Sequence, residues 1–305
     1  MAELGLGLAA LGRPGYLTVG HGEALGADRS EDALRARCHQ VCDAAWDGGV
    51  RWFDAARSYG LAEEFLAGWL RRREVSPGQV RVSSKWGYTY TAGWAVDAEV
   101  PEVKDHSAVA LGRQWPESER LLGPWLGLYQ VHSATSESGI LDDVVVHRRL
   151  AALGVPVGVS LSGVGQADVL HRAMEIEVDG APLFSAVQAT WNLLEPSVGP
   201  ALAEAKAAGW TVIVKEALAN GRLAPGGTPP GGLGERPDVT ALGAALTRPW
   251  ADVVLSGATT VSQLDGNLVA LTRVAGGTDP APGASGGPVR TPAEYWSERA
   301  SLPWT

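Results

Sequence analysis

Four titratable residues stand where a run of β-type residues gives way to a loop. Asp54 closes the run Val50-Arg51-Trp52-Phe53, and Tyr59 follows in the next loop. Lys85 comes after Val80-Arg81-Val82-Ser83-Ser84, and His132 after Leu128-Tyr129-Gln130-Val131. A lysine beside a tyrosine favours the phenolate and draws the phenol pKa down from its usual value near 10. An aspartate beside the lysine keeps that lysine charged. A phenol tuned in this way can give a proton to a carbonyl oxygen or take one from an alcohol. The histidine can hydrogen-bond the same oxygen and orient it. Such a set handles a proton and an oxyanion, so a hydride would have to come from a cofactor. Each residue also has a plainer reading: a turn cap, rim packing, a snorkelling lysine, a satisfied core imidazole. Finding all four at one rim argues against four coincidences.

Elements that could gather them are spaced regularly. β-type runs occupy residues 5–10, 50–54, 80–86, 128–132, 155–160, 185–190, 211–215 and 252–256. Helical patterns follow over 34–45 (with Ser30 as cap), 61–73, 118–125, 142–153, 166–176, 200–208, 238–246 and 262–272. Eight βα units predict one α/β domain over residues 1–305, a closed (β/α)8 TIM barrel with its chemistry on the loops after the strands. Two open sheets would need a linker near the middle of the chain, and none is seen. Gly/Pro-rich stretches lie at 225–234, a loop inside the repeat, and at 276–288, read as a flexible tether. Beyond it, Thr291-Pro292-Ala293-Glu294 has the form of a capping box. The short helix it starts, with Tyr295 and Trp296, is expected to pack back on the barrel.

Composition narrows the function. The 305 residues are 45% apolar and 19% charged, which is ordinary globular composition, and the net charge of -9 disfavours nucleic acid or an anionic membrane as main partner. Cys38 and Cys42 read as small hydrophobes on one helix face. No HExxH or CxxC spacing occurs, so no metal site is expected. The stretch 150–167 lacks Asp, Glu, Lys and Arg but is broken by glycines and a proline, so no membrane span is expected. With Glu3 near the start and no basic segment there, the chain reads as cytoplasmic. Two motifs are decoys. Gly5-Leu6-Gly7-Leu8-Ala9-Ala10 fits a loose dinucleotide pattern but lies within a strand. Gly283-Ala284-Ser285-Gly286-Gly287 fits a nucleophile elbow but follows no strand.

The segments Trp52-Phe53-Asp54-Ala55-Ala56-Arg57-Ser58-Tyr59-Gly60, Ser83-Ser84-Lys85-Trp86, Leu128-Tyr129-Gln130-Val131-His132-Ser133 and Val187-Gln188-Ala189-Thr190-Trp191-Asn192 follow one another in an order that resembles the aldo-keto reductase superfamily. The resemblance covers nearly the whole chain. It implies NADPH-dependent reduction of aldehydes and ketones, with Tyr59 as proton donor, Lys85 and Asp54 tuning it, and His132 orienting a small carbonyl substrate. Ser160 and Gln188 match positions that hold the nicotinamide carboxamide. Where the family often offers a stacking tyrosine, Lys215-Glu216 stands here, which leaves stacking to Trp191. Leu218 and Arg222 in the same loop fall among the cofactor residues. In the adenosine-phosphate motif Thr259 and Asn267 remain, but Gly257 and Gln263 replace frequent cations. A narrow preference for NADPH over NADH is expected unless Arg222 supplies the cation, and NAD stays possible. Trp86, Tyr88 and Trp191 are candidate substrate contacts, Trp86 and Tyr88 at the start of a loop over 87–115 that carries two further aromatics and His106. That loop could equally pack on itself, with Lys104-Asp105-His106 as a local ion pair. Two alternatives stand: an NAD-dependent sugar or polyol dehydrogenase of the same fold, and a non-catalytic nucleotide-binding barrel.

Overall fold

A computed structural model describes residues 1–229, 233–277 and 290–305. In chain order the elements are β1 (Glu3–Gly7), α1 (His21–Leu25), α2 (Glu31–Asp47), β2 (Trp52–Asp54), α3 (Ala62–Arg72), β3 (Arg81–Trp86), β4 (Tyr88–Tyr90), β5 (Glu102–Lys104), α4 (Ala108–Leu122), β6 (Leu126–Ala134), α5 (Val144–Ala151), β7 (Val157–Leu161), α6 (Gln166–Met174), β8 (Glu177–Val178), β9 (Ala181–Pro182), β10 (Ala186–Thr190), α7 (Gly199–Ala207), β11 (Thr211–Lys215), α8 (Pro237–Leu246), β12 (Val253–Ser256), α9 (Val261–Ala275) and α10 (Pro292–Ala300). Eight parallel strands close a barrel in the order β1-β12-β11-β10-β7-β6-β3-β2. The expected (β/α)8 architecture is the one found.

Packing explains the first of the two glycines that mimic a dinucleotide fingerprint. Gly5 lies inside β1, and a Cβ there would come within 2.9 Å of both Leu255 and Val253. Only a hydrogen fits between these neighbouring side chains. Ser30 caps α2 through the Ala33 amide, and Leu34, Cys38, Val41, Cys42 and Ala45 form its buried stripe. Both cysteines are free and buried.

One element differs from expectation. A helix over 118–125 was expected to start after Pro116, but α4 begins at Ala108, with Ser107 as cap, and runs through the proline. Tertiary contacts outweigh the helix-breaking tendency. Trp115 packs on Tyr129 with ring centroids 5.0 Å apart, and buried Gln114 accepts from the Gly87 amide and donates to the Tyr88 carbonyl. The segment 87–115 is therefore not one loop. It holds the hairpin of β4 and β5 and the first half of α4.

Thr291 and Glu294 form the expected capping box, and α10 docks with Tyr295 and Trp296 buried. The elbow-like decoy at Gly283-Ala284-Ser285-Gly286-Gly287 and most of the expected tether lie outside the described residues. Among the described residues no helix is long and apolar enough to cross a membrane, and no cluster of ligands could hold a metal.

Candidate active site

Asp54, Tyr59, Lys85 and His132 converge at the C-terminal mouth of the barrel. β2 ends at Asp54, and the loop after it is sewn to β3: the Ala55 and Arg57 amides donate to the Ser83 and Lys85 carbonyls at 2.8 and 3.0 Å. Gly12 lets the β1 loop touch this turn, since a Cβ there would lie 2.2 Å from the Tyr59 carbonyl oxygen. The register between β6 and β7 shifts between Val131 and Ala134, and Ser133 adopts φ 52°. Such a bulge re-aims the side chain beside it, and here that residue is His132.

Asp54 is the hub of the site. It pairs with Lys85 and accepts from Ser83 Oγ at 2.7 Å and Gln188 Nε2 at 3.0 Å. Lys85 is fully buried, and its Nζ also donates to the Ala55 carbonyl at 3.0 Å. That Nζ stands 4.8 Å from the Tyr59 ring centroid. The Tyr59 hydroxyl lies 3.4 Å from His132 Nε2, and Ser58 Oγ lies 3.4 Å from Nδ1. His106 donates from Nε2 to the His132 carbonyl at 2.8 Å and so steadies the bulge.

The electrostatics correct one expectation. Lysine was expected to draw the Tyr59 phenol down, but burial, reinforced by the Asp54 carboxylate, pushes it well above the usual tyrosine range. Lys85 sits under the ring rather than on the oxygen, and its charge is spent on Asp54. The phenol stays protonated. Burial, with Lys85 and Lys215 nearby, holds His132 well below the usual imidazole range, so it is neutral.

The remaining candidates divide by place. Lys215 donates to Ser160 Oγ at 3.2 Å beside Gln188, so these three are brought together. After them the β11 loop turns through left-handed residues: Glu216, Ala219, Asn220 and Gly221 have φ of 56°, 49°, 56° and 85°. The Leu218 and Asn220 amides have no backbone acceptor among the described residues. Concave runs of free amides of this kind receive anionic groups. Thr259 and Gln263 are bonded to each other, Asn267 donates to Ser256 Oγ at 2.7 Å, and the space beyond Gly257 is open. Arg222 is buried against α10, stacked on Tyr295 at 4.3 Å and paired with Glu298 at 3.3 Å, and its Nε donates back to the Ala219 carbonyl of the same loop at 2.9 Å.

Of the three substrate candidates, Tyr88 lies over His132 with ring centroids 4.9 Å apart. Trp86 is instead fully buried behind it, edge-on to His106. Trp191 is also in the core, packed on Trp250 and Arg248. Both tryptophans were placed at the pocket because they border the motifs, but their side chains fill the space behind it. Lys104 and Asp105 do not pair: Lys104 stands 5.7 Å over the Tyr88 ring, and Asp105 accepts from the Ser107 amide.

Sequence reasoning missed Arg13. It is buried, donates to the Ser58 carbonyl, and pairs with Glu102 at 2.6 Å. Its guanidinium lies 5.1 Å from the Tyr59 ring centroid, between Tyr16 and Trp304. The available signal was its position, in a Gly-Arg-Pro-Gly loop after the first barrel strand.

Three comparisons bear on this geometry. A pyridoxal 4-dehydrogenase of Microbacterium luteolum is 31% identical over 147 residues, 40% of this chain and 42% of that protein, so the match spans under half its length. An aldo-keto reductase of Bacillus halodurans in its holo form superposes with TM-score 0.62 at 20% identity, over 99% of this chain and 92% of that one. A Pseudomonas aeruginosa protein assigned to the aldo-keto reductases superposes at 0.64 and 22% identity, over 89% and 90%. At such identities the two structures speak for the fold. The sequence profile of the aldo/keto reductase family matches residues 3–255, from the first barrel strand to the last, and this chain belongs to that family.

Proposed function

We propose that the chain is an NAD(P)H-dependent reductase of aldehydes or ketones in which Tyr59 gives the proton. The family makes it an oxidoreductase. The observation that carries the finer reading is the meeting of a protonated Tyr59 hydroxyl with a neutral His132 at 3.4 Å, over the Asp54–Lys85 pair. A carbonyl oxygen set between phenol and imidazole receives a hydrogen bond from one and orientation from the other. Tyr59 then passes its proton to the oxygen as charge develops there. Lys85, paired with Asp54 and 4.8 Å from the ring centroid, lies beside the phenolate left behind. Tyr88 covers His132 and limits water.

The groups around the barrel mouth fit a nicotinamide dinucleotide. Ser160, Gln188 and Lys215 would flank the nicotinamide, Leu218 and its loop would receive the pyrophosphate on free amides, and Gly257, Thr259, Gln263 and Asn267 would face the adenosine end. When bound in reduced form, that cofactor supplies the hydride. The open Gly257 and the neutral Gln263 support use of NADH alongside NADPH, because a 2′-phosphate calls for cations.

A second reading is favoured by the name of one relative, a dehydrogenase acting on pyridoxal: oxidation of an alcohol or hydrated aldehyde with NAD. A panel of aldehydes, ketones and polyols, assayed with all four cofactor forms, separates the readings. Turnover of reactive aldehydes with NADPH or NADH supports the first. Turnover only with NAD supports the second. No turnover in either direction contradicts both.

A further inference from the structure

The chain has only four lysines among its 25 basic residues: Lys85, Lys104, Lys206 and Lys215. Arginine serves nearly everywhere else, and a guanidinium does not give up its proton, whereas an amine can. Lys85 pairs with Asp54, and Lys206 pairs with Asp252 at 2.5 Å. Lys104 is exposed. Lys215 differs from all three. It is half-buried at the end of β11, inside the barrel mouth, and has no carboxylate within ion-pair distance among the described residues. The adjacent Glu216 is held instead by Arg299, through contacts of 2.8 and 3.1 Å to Nε and 2.5 Å to Nη2. Among the described residues the one hydrogen-bond partner of the Lys215 amine is a neutral hydroxyl, Ser160 Oγ.

We propose that Lys215 is a carbonyl-capturing lysine, whose amine condenses with an aldehyde to form an imine at the barrel mouth when no cofactor is bound. The proposal rests on the reading of the mouth as a carbonyl site. Loss of solvent is the main cause that draws this amine down to about 8, with Arg299 and Lys85 adding to the effect and Glu216 opposing it. A useful fraction is therefore uncharged near neutral pH. The Nζ lone pair attacks the carbonyl carbon, and the π pair moves to oxygen, which takes a proton. The nitrogen gives up one proton to form the hemiaminal; the hemiaminal hydroxyl then takes a second proton and leaves as water as the nitrogen lone pair forms the C=N bond, and the nitrogen sheds its remaining proton. Nothing is oxidised or reduced. The Ser160 hydroxyl, already in contact with the nitrogen, can relay the proton. Because Lys215 borders the nicotinamide position, cofactor and imine exclude one another.

The test uses the whole purified protein without cofactor, pyridoxal as probe aldehyde, and cyanoborohydride to reduce the imine. Digestion and mass spectrometry then locate the secondary amine. Label should enter the Lys215 peptide faster than the peptide of Lys206, which is tied to Asp252, by about tenfold or more. Saturating NADPH should slow it, and Lys215→Arg should abolish it at that peptide while leaving the others unchanged. Labelling of Lys215 no faster than of Lys206 overturns the proposal. Assaying NADPH-dependent reduction on the same preparation keeps the two ideas apart. Reduction without labelling rejects only the imine, whereas labelling without oxidoreductase turnover rejects only the redox reading.

Discussion

Replacing Arg299 with methionine should unfasten α10 from the β11 loop. Burial alone would raise the Glu216 carboxyl, but the Arg299 charge and its hydrogen bonds bring it from 4.5 down to about 2. At about 1.4 kcal/mol per pH unit, that pull is worth roughly 3 kcal/mol at neutral pH. Leaving a buried charge unpaired typically costs about 3–5 kcal/mol. An unfolding entropy of about 2.1 cal/mol/K per residue over 305 residues turns this into a melting-temperature loss of roughly 5–8 °C. Thermal melts followed by circular dichroism would show it. The sign of the pH dependence is a second check. In the parent, Glu216 stabilises fully above pH 4.5 and loses its effect as pH falls towards 2. In the variant the carboxyl titrates higher, so the gap between the proteins should narrow as pH is lowered from 6 to 4. A loss under about 1 °C at pH 7, or a gap that does not narrow, would refute the clamp.

Two buried histidines make the fold acid-sensitive. Burial draws His21 and His106 down to about 4, so below pH 6.5 the unfolded chain binds protons that the folded chain refuses. Each should remove about 2 kcal/mol of stability between pH 6.5 and 5, readable as a fall in urea midpoint that His106→Gln reduces. At the cofactor site, Gln263→Arg should widen the margin of NADPH over NADH by about 1–3 kcal/mol, the scale of a charge-assisted hydrogen bond. Paired dissociation constants from tryptophan quenching would measure it. An unchanged ratio would mean that the 2′-phosphate lies away from the β12 loop.

The barrel was legible because each strand is a short apolar run punctuated by glycine or proline, and β11 ends at Lys215 as its pattern requires. The meeting of Asp54, Tyr59, Lys85 and His132 was legible for the same reason, since strand ends converge in a closed barrel. What escaped depends on distant partners. Arg13 is held in part by Glu102 and Trp304, far along the chain. The full length of α4 was hidden by Pro116, whose cost is offset by Trp115 and Gln114 docking on β6 and the hairpin. Trp86 and Trp191 show the converse error: a motif position reveals where the backbone runs, but not which side of the wall the ring fills. The direction of the Tyr59 shift was misjudged because adjacency in a motif does not reveal that the ammonium faces the ring and Asp54, not the phenol oxygen.

Proton donation by Tyr59 is the step on which the proposed reaction turns. Its most direct test is kcat for reduction of a reactive aldehyde by Tyr59→Phe, with cofactor affinity measured alongside. The ring that packs against Arg13 and Lys85 is kept, and only the transferable proton is lost. Turnover should fall by about 10²-fold or more while the cofactor dissociation constant stays within a few-fold. Turnover close to that of the parent protein would contradict the account.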